Sequence, residues 1–340
     1  MKIKTRIENL RLRHTFTISR SSEDVVPVVM VEVEHEGITG TGESSPSRYY
    51  GETAETVRSA LESLEGWLAT AHPFERQTVL EEALPRLSGL RGALCALDLA
   101  LHDWAGRKLG APLHRLLGLS PDRLPLTSFT IGIDTIETMV AKLNEAKDMP
   151  LIKIKLGTPH DVEIVRALRR ESQAVFRVDA NCAWSAREAI EKSHELKALG
   201  VELIEQPLPP DQLEAMEEVH AKSALPVFAD ESSVTPLDVP GLRGRFHGIN
   251  VKLVKCGGIE PALRMIHLAR TFGMKIMIGC MIESSVACTA AAQIGPLVDH
   301  LDIDGPLLIT NDPYRGVEYL GGRLKLPPGP GLGVEKRTSR

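Results

Sequence analysis

Leu151-Ile152-Lys153-Ile154-Lys155-Leu156 reads as a strand of a buried sheet. Side chains alternate faces along a strand, so Ile152, Ile154 and Leu156 share one face while Lys153 and Lys155 share the other. The apolar face suits a covering layer of helices. The opposite face sends two ammonium groups into an interior. Two buried like charges are expensive, and each lowers the other's pKa. A structural role would not select this arrangement; a lysine base that must be neutral near pH 7 would.

The same unit recurs outward from this strand. Short apolar runs of strand length occupy residues 128–133, 175–180, 201–205, 227–230, 249–254, 276–282 and 301–304. Helical stretches rich in Ala, Glu, Leu and Arg, such as 161–171 and 186–199, lie between them. Strands alternating with helices in this way predict an α/β fold, a (β/α)7β TIM-like barrel over residues 121–312. An open doubly wound sheet is the rival, but no glycine-rich first turn supports it. Upstream, residues 15–19 and 27–34 read as strands, and Glu36-Gly37 as a hairpin turn. Gly37, Gly40 and Gly42 have no βαβ unit around them, so they read as turn and close-packing positions, not a phosphate loop. From Gly92 to Lys108 a helix is expected, with Leu94, Leu97, Leu101 and Ala105 on one face and Gly110 and Pro112 closing it. Residues 1–120 thus form an α+β capping domain, which the tail 313–340, with its Pro/Gly-rich stretch at 326–331, is expected to rejoin.

The 340 residues are 43% hydrophobic and 25% charged with a net charge of −5, which excludes a disordered or low-complexity chain. That balance offers no electrostatic footprint for nucleic acid. No run of apolar residues is long enough for a membrane span, and Met1-Lys2-Ile3-Lys4-Thr5-Arg6 leads into polar sequence without a signal core. Cys95, Cys182, Cys256, Cys280 and Cys288 are widely spaced, with no Cys-x-x-Cys. They suit a reducing cytoplasm better than a zinc ribbon or a disulfide scaffold.

The C-terminal ends of the strands carry Lys155, Asp179, Glu205, Asp230 and Lys252, at intervals of 22 to 26 residues, and then Asp302 and Asp304. Barrel active sites are built at that face. Asp179, Glu205 and Asp230 fall on consecutive strands and would repel unless they share a cation. All-oxygen ligands with room for water and substrate suit Mg²⁺, with Mn²⁺ as the alternative; ion pairs with the lysines are the other reading. Lys155 on the second strand and Lys252 on the sixth face each other across the axis. That placement permits proton removal from one face of a carbon and return to the other. Lys255, offset by three, is expected to point away as a solvated or structural cation.

Lys153-x-Lys155, Val178-Asp179-Ala180-Asn181, Glu205-Gln206-Pro207, Ala229-Asp230-Glu231-Ser232 and Asn250-x-Lys252 running into Lys255-Cys256-Gly257-Gly258 together resemble the enolase superfamily, specifically its muconate-lactonizing subgroup. The resemblance covers nearly the whole chain. It implies an isomerase that binds a substrate carboxylate on Mg²⁺ and removes the neighbouring α-proton, with Lys155 and Lys252 as the acid/base pair and Lys153 on the carboxylate. Asp302-Ile303-Asp304-Gly305-Pro306 resembles the Asp-x-Asp of dipeptide epimerases, whose two acids hold the substrate's α-ammonium; pairing with neighbouring basic residues is the alternative. The implied reaction is epimerisation of L-Ala-D/L-Glu in murein peptide metabolism. A muconate-type cycloisomerase, or an o-succinylbenzoate synthase or N-acylamino acid racemase, is the alternative on this scaffold. Residues 279–284 lack the histidine of a mandelate-racemase-like site. The resemblance also implies Thr130, Cys280 and Ile282 as substrate contacts. It sets Arg20 against the substrate's side-chain carboxylate and makes Tyr49-Tyr50-Gly51 a second capping loop. The expected partner is a small dipeptide, with a homo-oligomer, no nucleic acid and no membrane.

Overall fold

The computed structural model describes residues 1–338. Strands β1 (Lys2–Ile18), β2 (Ser21–His35) and β3 (Ile38–Ser44) form an antiparallel sheet. The β1–β2 ribbon pairs from Lys2–Glu34 to Ile18–Ser21, with a register shift between Arg11 and Phe16. It is longer than the apolar alternation predicts. Arg6 bonds Glu8 along its own strand at 2.8 Å and Glu32 across the ribbon at 3.0 Å, so charge pairing along and between the strands sustains a ribbon whose exposed face looks unlike a strand. Its length carries the tip, Ser19-Arg20, out over the barrel.

The Arg91–Leu109 helix packs on β3. A Cβ on Gly40 would lie 2.1 Å from Ala100 O, and one on Gly42 would lie 2.0 Å from Ala96 O. These glycines therefore serve close backbone approach. The sequence predicts one apolar face for this helix, yet residues 92–106 are all buried, because the barrel covers the opposite side. There the Asp98 carboxylate accepts the Ile259 N–H. His102 lies 3.4 Å from Asp98 and 3.5 Å from Glu260. The tail rejoins the same helix: Leu332 N–H donates to Asp103 at 2.8 Å and Arg107 donates to Val334 O at 3.0 Å.

Burial opposes the charge on His102, but Asp98 and Glu260 outweigh it and lift the imidazole from 6.5 to about 9. A raised histidine contributes stability that is fully present below pH 6.5 and is lost as pH rises through about 9. The melting temperature should therefore fall more steeply between those pH values in the parent than in His102→Gln. Equal slopes by differential scanning calorimetry would contradict the seam's charge pairing.

The parallel strands β4 (Phe129–Ile131), β5 (Leu151–Lys155), β6 (Val175–Asp179), β7 (Val201–Glu205), β8 (Val227–Ala229), β9 (Gly248–Lys252), β10 (Lys275–Gly279) and β11 (His300–Asp302) pair in chain order. The Thr127–Leu301 bridge joins the last strand to the first. Outward side chains such as Ile152, Ile154, Val178, Ile204, Val251 and Ile278 are buried under the helices, each contributing about 1.5–3 kcal/mol of transfer free energy. Inside, Leu203, Phe228 and Met277 fill the floor. Beside them Arg177 reaches Glu202 at 2.6 Å, His300 at 2.8 Å and Leu301 O at 3.2 Å. The floor is closed, so polar groups one register higher face only the mouth. Among the described residues no helix is long and apolar enough to cross a membrane.

Candidate active site

The parallel register places the charged residues in one layer. Lys155 is level with Asp179, Asp179 with Glu205, Lys252 with Gly279, and Gly279 with Asp302. Asp230 follows β8 immediately. All of these side chains are buried.

Oxygens of Asp179, Glu205 and Asp230 lie within 4.8 Å of one another. Lys155 Nζ lies 2.6 Å from Asp179, and Lys252 Nζ lies 2.8 Å from Asp230. The two lysines, on strands separated by three others, thus flank the acid cluster from opposite sides of the barrel. Lys153 Nζ lies 2.7 Å from Glu205, 2.7 Å from Asp302 and 3.2 Å from Asp179. Burial works against its charge, but those carboxylates outweigh it and hold Lys153 well above the ordinary lysine range. This corrects the expectation that the neighbouring lysine lowers its pKa, and it agrees with the alternative of ion pairs between the acids and the lysines. Burial and Asp179 push Glu205 up to about 7. Asp179 goes the other way: burial opposes its charge, yet Lys155 and Lys153 hold it down at about 2.

Glu205 Oε1 accepts from Asn250 Nδ2 at 2.8 Å. Its Oε2 has Lys153 as an ion-pair neighbour but no aligned hydrogen-bond donor. A buried carboxylate oxygen without a donor, inside a triad of hard oxygens, fits a divalent cation of the Mg²⁺ class.

Two details differ from the sequence reading. β9 ends at Lys252, and the helical turn Leu253–Cys256 brings Lys255 back onto Asp230, bonding Oδ1 and the backbone O at 2.5 Å each. Lys255 is therefore structural, one of the two roles expected of it, but it points onto Asp230 instead of away. β11 ends at Asp302 instead of continuing to 304, because Asp304 precedes a short helix at Gly305–Leu308. Strand alternation does not place the two acids. Asp302 accepts from Ser128 Oγ at 2.5 Å and Lys153 at 2.7 Å, and Asp304 accepts the Thr130 N–H at 2.6 Å. Burial and Asp302 lift Asp304 to about 7.

Cys280 and Ile282 follow β10 in a partly buried loop, outside the strand predicted to run to 282. The cap holds that loop: Ser45 Oγ donates to Ile282 O at 2.8 Å, while Glu43 accepts from Ser284 N at 2.8 Å and Ala287 N at 2.9 Å. Arg20 lies at the mouth, 2.6 Å from Glu231 and 4.4 Å from the centre of the Tyr49 ring. Sequence reasoning missed Glu43, Ser45, Ser128, Asn250 and Glu231 as parts of the site. Two of them left a signal: Asn250 shares a strand face with Lys252, and Glu231 follows Asp230 in a stretch that carries the family resemblance, but neither was given a role.

Residues 1–118 match the mandelate racemase/muconate lactonizing enzyme N-terminal domain, and residues 136–339 match the enolase C-terminal domain-like family. The chain belongs to the enolase superfamily. Within that superfamily it is 45% identical over 338 residues to an L-Ala-D/L-amino acid epimerase from Maribacter sp., covering 98% of this chain and 99% of the relative. It is 43% identical to an L-Ala-D/L-Glu epimerase from Bacteroides thetaiotaomicron, covering 96% and 86%. The crystal structure of a dipeptide epimerase from Cytophaga hutchinsonii, complexed with Mg and D-Ala-L-Val, superposes with a TM-score of 0.93 at 28% identity, covering 99% and 96%.

Proposed function

We propose that this enolase-superfamily protein is a Mg²⁺-dependent dipeptide epimerase acting on L-Ala-D/L-Glu by 1,1-proton transfer. The observation that carries this reading is the pair of buried lysines on opposite sides of one acid cluster, Lys155 on Asp179 and Lys252 on Asp230. One lysine takes the α-proton of the second residue from one face, and the other delivers a proton to the opposite face. Asp179, Glu205 and Asp230 would hold the Mg²⁺. When bound, the cation neutralises the substrate carboxylate and makes the α-proton acidic enough for a lysine. Lys153 contributes a fixed positive charge beside that carboxylate.

Asp302 and Asp304 receive the dipeptide's ammonium. A cycloisomerase or o-succinylbenzoate synthase, whose substrates bear no ammonium, has no use for two acids there. Thr130, Cys280 and Ile282 line the substrate side of the mouth. We place the enzyme in the cytoplasm, in the handling of murein-derived dipeptides, as a homo-oligomer.

Incubation of L-Ala-L-Glu with the protein and Mg²⁺ should yield L-Ala-D-Glu by chiral chromatography, and no inversion of any dipeptide would overturn the reading. Asp304 does not touch Lys153, so Asp304→Asn isolates ammonium binding. It should lower kcat/KM for L-Ala-L-Glu by about 2 kcal/mol or more, roughly 30-fold. The rate with N-acetyl-L-Ala-L-Glu should be unchanged or improved. Equal losses on both substrates would remove Asp304 from that role.

A further inference from the structure

The tip of the β1–β2 ribbon is pinned to the barrel by polar contacts. Ser19 Oγ and Arg20 Nη1 both donate to Asn181 O, at 3.0 and 3.2 Å. Asn181 and its neighbour Cys182 sit at positive φ, 43° and 68°, a conformation that asparagine tolerates but that is uncommon for cysteine. Arg20 Nη2 lies 2.6 Å from Glu231 Oε1, and the Glu231 side chain is 0% exposed. The guanidinium also stacks over Tyr49. The arginine at the mouth is therefore already paired with a carboxylate the fold cannot withdraw. Giving Arg20 to a substrate carboxylate would leave Glu231 buried beside Asp230 without a countercharge, a costly state. An acidic side chain entering the mouth gains at Arg20 about what Glu231 loses. An unpaired arginine would instead discriminate strongly.

We propose that Glu231 is the specificity-determining residue for the second dipeptide position. Its ion pair with Arg20 latches the ribbon tip over the site and leaves a nearly neutral wall. Dipeptides with a neutral second residue are therefore epimerised about as well as L-Ala-L-Glu. This inference rests on the dipeptide-epimerase reading for its substrate and on the Arg20–Glu231 contact for its mechanism.

The test measures kcat/KM for L-Ala-L-Glu and L-Ala-L-Met in the parent, Glu231→Gln, Arg20→Met and the double variant. Freeing Arg20 with Glu231→Gln should raise the Glu-over-Met ratio by roughly tenfold or more. Arg20→Met leaves Glu231 as an unpaired anion and should lower the Glu-over-Met ratio, whereas the double variant, which removes both charges, should keep it within about threefold of the parent. The double variant should lose the gain. An unchanged ratio in Glu231→Gln would overturn the proposal. So would a roughly tenfold selective loss of L-Ala-L-Glu turnover in the double variant relative to the parent. If Glu231→Gln loses its Mg²⁺-dependent thermal shift, the parent's own ratio still decides, because a preference for L-Ala-L-Glu over L-Ala-L-Met above about tenfold would overturn the proposal. If the parent epimerises no dipeptide, the functional reading fails separately. The latch is then read from amide exchange of residues 18–22, which should accelerate in both single variants and, if unchanged in both, refutes it.

Discussion

Replacing Lys155 or Lys252 with alanine is expected to lower epimerisation in both directions by on the order of 10³-fold or more. Each lysine is buried on its own carboxylate, Lys155 on Asp179 at 2.6 Å and Lys252 on Asp230 at 2.8 Å, so neither can swing to the other's side. Removing one leaves a carbon whose proton can be taken but not replaced on the opposite face. Each single variant should therefore still exchange the α-proton of one dipeptide isomer with solvent while inverting neither. Proton NMR in D₂O, started from each isomer in turn, separates these outcomes. A lysine variant that still inverts would exclude the two-base scheme. Because one lysine must be neutral while the other is charged, the parent's rate should be bell-shaped in pH.

Removing the divalent cation, or replacing Glu205 by glutamine, is the second large effect. Asp179, Glu205 and Asp230 are buried with oxygens within 4.8 Å of one another, and three such acids repel without a shared cation. Lewis-acid neutralisation supplies several kcal/mol at the transition state, so its loss should cost roughly 10³-fold or more in rate. A chelator should abolish turnover and added Mg²⁺ should restore it. Cation binding also stabilises the fold by mass action, about 2.7 kcal/mol at a hundred times Kd. The parent's melting temperature should therefore rise with Mg²⁺ concentration, and that of Glu205→Gln should respond far less. An equal response in both would remove Glu205 from the metal set.

The barrel and the layer of charged residues at its mouth were legible because they obey short-range rules. Strand alternation placed Lys153 and Lys155 on one face, and spacing of about one βα unit put Asp179, Glu205, Asp230 and Lys252 at matching strand ends. The parallel ladder then holds them level. Where a strand ends is less legible. The sequence reading carried the strand of Lys252 on to residue 254 and that of Asp302 on to 304. The chain instead turns helical after Lys252, which brings Lys255 onto Asp230, and Asp304 leaves the strand to precede a helix. Charged alternation in residues 2–13 concealed most of the β1 ribbon, since ion pairs do not register as an apolar pattern. The least legible contacts were those made by distant partners. Glu43 caps the helix beginning at Ser285, 241 positions from the Ser284 N–H it accepts, and Arg20 meets Glu231 only because a long ribbon delivers it there. Nothing local in either sequence neighbourhood encodes such a meeting.

Two facing lysines are the centre of this account, and isotope tracking in the first turnover tests them most directly. L-Ala-L-Glu and L-Ala-D-Glu, each protiated at the α-carbon of Glu, are mixed with excess enzyme and Mg²⁺ in D₂O and quenched early. The account predicts that inverted product carries deuterium at that carbon from either starting isomer, because the delivering lysine holds solvent-derived protons. Inverted product that retains the substrate's own α-proton in both directions would show one base acting on both faces, and would contradict the assignment of Lys155 and Lys252.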